Sequence, residues 1–140
     1  MRRGSPDTGR FREGALADER GSAVAEFAMV AMLLTVLALA VIQLALALHV
    51  RNTVLDAASE GARFAALAGA APDAGALRTR ELITTAVGAA YATEIEQLRV
   101  ERKGVELARV TVRAALPVLG LLGPPGSLEV SGHAAVETIE

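Results

Sequence analysis

The 22 residues from Phe27 to Leu48 contain only two polar side chains, Thr35 and Gln43. At 1.5 Å per residue, a helix of that length crosses a hydrocarbon core of about 30 Å. Twelve of the 22 are Leu, Ile, Val or Phe. At about -0.3 to -0.6 kcal/mol each, they favour insertion by roughly 4 to 7 kcal/mol, with the alanines near neutral. The alternative is a buried helix of a larger soluble core, for which 140 residues make a poor shell. The run is therefore expected to be a membrane span, with membrane lipid as its first partner.

The flanks set an orientation. Arg2, Arg3, Arg10, Arg12 and Arg20 precede the run, and only Arg51 and Arg63 follow over a similar reach. By the positive-inside rule the N-terminus stays in the cytosol and the C-terminal part lies outside. Residues 1–20 mix those arginines with four acids, glycine and proline and show no apolar face, so a flexible leader is expected there.

Beyond the span, Asn52, Asp56, Ser59, Glu60 and Arg63 recur at steps of three and four. This makes one wet stripe on a continuing helix, with Val54, Leu55, Ala58, Ala62 and Ala65 on other faces. Glu60 and Arg63 are spaced to pair across one turn, worth a few tenths of a kcal/mol. A helix from Ser22 to about Leu67 would be roughly 70 Å long. Gly69 and the stretch APDAG are expected to end it.

The remainder reads as a small external domain. ALRTRELITTAVGAAYATEIEQL predicts a second helix with Leu82, Ile83, Ala86, Ala89, Ala90 and Ile95 on its apolar face. LRVERKG, ARVTVRAAL and SLEVSGHAAVE predict three antiparallel strands, with Val110, Val112 and Ala114 alternating with Thr111 and Arg113. The apolar loop PVLGLLGPPG between the last two is either an exposed contact patch or a loop folded onto the domain. The expected class is α+β. A leader spans 1–21, a transmembrane and juxtamembrane helix 22–69, and an extracytoplasmic domain 70–140.

Composition narrows the chemistry. There is no cysteine, which removes disulfides and thiol chemistry, and the net charge of -2 argues against nucleic acid as a partner. His49 and His133 are far apart in sequence, one at the span's exit and one facing outward from a strand. Glu94 and Glu96, on the predicted second helix, would point apart. No phosphate loop, dinucleotide fingerprint or H-E-x-x-H is present. Neither catalytic residues, a metal nor a cofactor is expected.

Glu26, a carboxylate at the mouth of the span, has three explanations. With Ser22 as N-cap, it favours the positive end of a helix by about 0.3 to 1 kcal/mol. Alternatively, the region is a secretory signal with an A-x-A site at Ala45 and Ala47, although the run exceeds an ordinary signal core and its leader carries acids. The third explanation starts from the stretch Gly21-Ser-Ala-Val-Ala-Glu26-Phe27. It resembles the processing site of type IV prepilins, with an aromatic after the glutamate as in tight-adherence (Tad, or Flp) pilus systems.

The stretch RNTVLDAASEGARFAALAG is similar to the TadE-like family, most specifically across Ala57–Ala65. The resemblance extends over about Gly21 to Gly69. It implies a minor pilin or pseudopilin of the inner membrane, cut between Gly21 and Ser22 by a prepilin peptidase. Glu26 and Phe27 would serve assembly, and Glu60, Gly61 and Arg63 would form a juxtamembrane motif. Other pilins and pilus platform proteins are the implied partners. The alternative from another class is an uncleaved, signal-anchored protein whose outer domain binds a cell-surface partner or ligand.

The arginine asymmetry is testable. A reporter fused after Glu140 should be active outside the cytoplasm, and protease added to spheroplasts should digest the region after Leu48. Protection of that region would refute the orientation.

Overall fold

The computed structural model describes residues 9–116 and 127–137, with side chains from residue 21 onward. In order come helix α1 (Gly9–Ala66), helix α2 (Ala74–Ala86), a single 3-10 turn (Ala89–Tyr91), and strands β1 (Glu94–Arg102), β2 (Val105–Ala114) and β3 (Leu128–Ala135). This is the expected α+β layout. The chain divides into two compact units, Met1–Val41 and Ile42–Glu140, described in turn.

The first unit contributes the N-terminal part of α1. The helix begins at Gly9, not at Ser22, which corrects the expectation of a flexible leader for residues 9–20. The local reason is composition: after Pro6, the stretch RFREGALADER is built largely of Arg, Glu, Ala and Leu, all strong helix formers, and it contains no further proline. Ser22 consequently lies inside the helix and caps nothing.

The second unit holds the folded domain. Its part of α1 ends at Ala66, within a residue of the expected stop, and Gly69 follows with φ +77°. The wet stripe appears as anticipated: Asn52, Asp56, Glu60 and Arg63 are exposed, while Val54, Ala58, Ala62 and Ala65 are buried.

α2 is shorter than predicted. The amides of Val87 and Gly88 both donate to the Ile83 carbonyl, at 2.9 and 3.1 Å, and Gly88 takes φ +104°. These bonds close the helix after Ala86. Ile95, expected on the helix face, instead lies on β1. Glu, Gln and Leu in TEIEQLRVER favour helix locally, but tertiary pairing overrides that weak preference. Nine residues of β1 pair antiparallel with β2, from Glu94↔Arg113 to Arg102↔Val105. β3 completes the sheet on the other side of β2, from Leu107↔Ala135 to Ala114↔Leu128, in the order β1-β2-β3. The loop PVLGLLGPPG falls at 117–126, outside the described residues. The amide of Leu116 donates to Ser127 Oγ at 2.7 Å, tying together the two ends that flank it.

The core lies between one face of the sheet and the helices. Val50, Val54 and Ala58 of α1, Ile83 of α2, Val112 of β2, and Leu128 and Val130 of β3 form its main cluster. Ala65, Ala66 and Ala108 form a second. Full burial of each larger aliphatic side chain favours folding by about 1.5–3 kcal/mol.

Small residues set how closely these layers meet. A Cβ on Gly61 would strike Thr79 Oγ1 and lie 2.6 Å from the Gly75 carbonyl oxygen. One on Gly75 would strike the Gly61 carbonyl and lie 2.7 Å from Ala65 Cβ, and one on Gly132 would strike the Ala58 backbone. Glycines therefore bring α2 against α1 and β3 against α1 at backbone distance. The buried Thr79 hydroxyl completes the crossing, 2.8 Å from the Gly75 carbonyl and 3.3 Å from the Ala57 carbonyl, to which it donates.

Gly61→Ala should destabilise the domain by about 1–3 kcal/mol, because the added methyl meets a neighbouring backbone that must move. Gly21→Ala should leave the domain's melt unchanged, since nothing lies within 4 Å of that position. Thermal unfolding of the two full-length variants in detergent, followed by circular dichroism, checks the contrast.

Candidate functional site

Three places carry candidate function. The first is the start of the apolar run. Gly21, Ser22, Glu26 and Phe27 are all exposed on α1, Phe27 at 75%. The large apolar side chains from Val24 to Leu48 are likewise uncovered. Among the described residues one helix, over Gly21–Ala66, is long and apolar enough to cross a membrane. Within it, the Thr35 hydroxyl donates to the Ala31 carbonyl at 2.8 Å, which removes one polar cost of immersion in lipid. Among the described residues no ion pair involves Glu26.

The second is the motif after the run, and it divides into two kinds of residue. Gly61 is buried where its backbone meets Gly75, and its small neighbours Ala58, Ala62 and Ala65 are buried too, Ala65 against Gly75 and Ala58 against Gly132. Glu60 and Arg63 point outward and pair at 3.4 Å, with side chains 49% and 72% exposed. Such a pair contributes little to stability. Glu60 also joins two adjoining grooves between α1 and α2. One is lined by Asp56, Arg63, Leu82 and Ala86, and the other by Phe64, Asp73, Leu77 and Arg78.

The third was not visible as a site in the sequence. Arg113 gathers three carboxylates on the outer face of the sheet: Glu129 Oε2 at 2.9 Å, Glu94 Oε1 at 3.6 Å and Glu96 Oε2 at 3.7 Å. The hydrogen bond to Glu129 and its charge, with lesser help from the charges of Glu94 and Glu96, hold the guanidinium pKa above its ordinary value against an opposing effect of desolvation. Glu94 and Glu96 do not point apart as a helix would have them. They lie on a strand, where residues two apart share a face. The period-two spacing of these glutamates was the available signal, hidden by the helix-favouring composition around it.

Two further residues also went unnoticed in the sequence. Gln97 of β1 accepts a hydrogen bond from the Ala76 amide at 2.9 Å, satisfying the first turn of α2, where Asp73 makes no side-chain cap. Thr79 does the equivalent work at the helix crossing. His49 and His133 are both exposed and do not meet. Among the described residues no group of three or more His, Asp or Glu side chains is arranged to hold a metal ion.

An exposed apolar helix and a small α+β domain, with charged residues outward and glycines inward on its helices and sheet, define the class: among the described residues, one candidate membrane span with an appended domain. Residues 21–63 match the family model described as TadE-like protein, so the chain carries a TadE-like segment. Gly21, Ser22, Glu26, Phe27, Glu60, Gly61 and Arg63 all fall inside the match. No curated protein and no solved structure gives a match.

The two kinds of motif residue should separate in stability measurements. Glu60→Gln should change the domain's unfolding free energy by less than about 1 kcal/mol, as expected for an exposed pair. A loss as large as that of Gly61→Ala would show that Glu60 holds the fold together.

Proposed function

We propose that the chain is a minor-pilin or pseudopilin-like component of a Tad (Flp) pilus assembly or secretion system. The observation that carries this reading is the TadE-like match over residues 21–63, which contains the G-x-x-x-x-E stretch, the apolar run and the motif after it. In this reading Phe27–Leu48 anchors the chain in the cytoplasmic membrane. Residues 1–21 are a cytosolic leader removed by a prepilin peptidase, 22–69 are the anchor and its extension, and 70–140 form the domain outside. The partners are other pilins and platform proteins, and the chain is not an enzyme.

Cleavage after Gly21 gives Ser22 a free α-amino group. Glu26 of one subunit meets that amine on a neighbour, which lowers the cost of keeping either charge near hydrocarbon. A mispaired arrangement strands the charge, so the pair also sets register.

One observation favours the uncleaved, signal-anchored alternative: Gly21 lies inside α1, whereas a peptidase takes an extended backbone. Cleavage therefore requires the helix to open locally. A glycine lowers the cost of that opening by about 1 kcal/mol relative to alanine.

Both steps are tested in one experiment. In cells containing a prepilin peptidase, N-terminal sequencing should find Ser22. A start at Met1 supports the uncleaved alternative, and a start just after Ala47 supports a secretory signal. Glu26→Gln should then insert and be cleaved normally, but lose co-purification with other pilins, because stripping the partner from a poorly solvated charge costs about 3 to 5 kcal/mol. Full association of the cleaved variant would leave Glu26 as a helix-start residue only.

A further inference from the structure

We propose that the outer domain self-associates head to tail, the outer sheet face around Leu98 and Arg109 of one copy seating on the α1–α2 groove around Phe64 and Leu77 of a second copy. Both surfaces belong to the Ile42–Glu140 unit, and they complement each other in apolar character and in charge.

The groove side is apolar and acidic. Phe64 and Leu77 are 43% and 54% exposed. Arg63 and Arg78 are each already paired within their own helix, with Glu60 and Glu81. Among the described residues Asp56 and Asp73 make no ion pair, and Asp73 does not even cap the helix that it precedes. Asp73 lines this groove together with Phe64 and Leu77, and Asp56 lines the adjoining one, so the helix pair presents two uncommitted carboxylates, one of them beside the exposed hydrocarbon.

The sheet side is apolar and basic. The register places Leu98, Arg109 and His133 in one row across the outer face, followed by Val100, Leu107 and Ala135. Leu98 is 40% exposed and Val105 48%. Among the described residues the Nε of Arg109 is buried and has no hydrogen-bond partner, which costs free energy in the isolated domain. The acids of this face, Glu94, Glu96 and Glu129, are gathered around Arg113 at the other end.

The two surfaces face opposite ways at one level of the domain. Among the described residues the groove is lined by α1, α2 and the loop between them (Ala71 and Asp73) and by no strand residue, so it opens away from the sheet. Ala108 packs inward against Ala65 and Ala66. Arg109, next to it, belongs to the outer face, and Phe64 is next to Ala65. That the copies lie side by side in one membrane rests on the anchored reading above. Because the surfaces differ, the contact is heterologous and continues from copy to copy instead of closing as a symmetric pair. The opposed charges fix which face meets which.

The chain has no cysteine, which makes the test direct. Two differently tagged full-length copies, one Leu98→Cys and one Leu77→Cys, are reconstituted together in liposomes and oxidised. The mixed disulfide dimer should form about tenfold or more above either homotypic dimer, a difference of about 1.4 kcal/mol in association. Adding Arg109→Glu to the Leu98→Cys copy should remove that excess, and adding Asp73→Arg to its partner should restore it. Equal yields of all dimers, a dominant Leu98–Leu98 product, or crosslinking of Leu77→Cys only to a different polypeptide in native membranes would each overturn the proposal. Flotation of the same liposomes separates the two readings: a chain that floats but does not crosslink refutes the docking alone, and one that does not float refutes the anchoring.

Discussion

The close approach of backbones at three glycines governs the geometry of the folded domain. Gly61 and Gly75 let α2 cross α1 at backbone distance, with the Thr79 side chain in the space that a Cβ on Gly61 would take, and Gly132 lets β3 lie on the Ala58 backbone. Around these points the core is built largely of alanine and valine, so it gains less from burial per residue than a leucine-rich core and depends more on short distances. Thr79 shows how completely the space is used: its hydroxyl is buried at the crossing and finds its acceptors in the carbonyls of Gly75 and Ala57.

This constraint gives the residues of the Ala57–Ala65 motif different physical duties. The inward members are small because a larger side chain would separate the helices. The outward members, Glu60 and Arg63, are exposed and contribute little to the fold, and they line the grooves between the helices. The same division runs through the sheet. Its inner face is buried by alternation, and its outer face separates into an acidic end around Arg113 and a basic, apolar end around Arg109.

The polar groups that close the domain come from distant parts of the chain. Gln97 on β1 satisfies the first turn of α2, and the Glu137 amide donates to the Ala66 carbonyl at 2.9 Å, tying the exit of β3 to the end of α1. Each bond links segments that share no local signal, and each satisfies a group that a helix end leaves unpaired.

The apolar run, the wet stripe after it and the alternation of Val110, Val112 and Ala114 were all legible in the sequence, because each is a local period imposed by one element's own geometry. The TadE-like resemblance was legible for the same reason, being carried by contiguous residues. What the tertiary structure alone decided is where local preference lost. TEIEQL became a strand because β2 offered a full register of backbone partners to a segment that its composition would have left helical. That switch put Glu94 and Glu96 on one face and created the Arg113 cluster. Gly61, Gly75 and Gly132 could be counted in the sequence, but their necessity appears only when two elements distant along the chain meet at each of them. A glycine's missing side chain has consequences only where something else occupies the space.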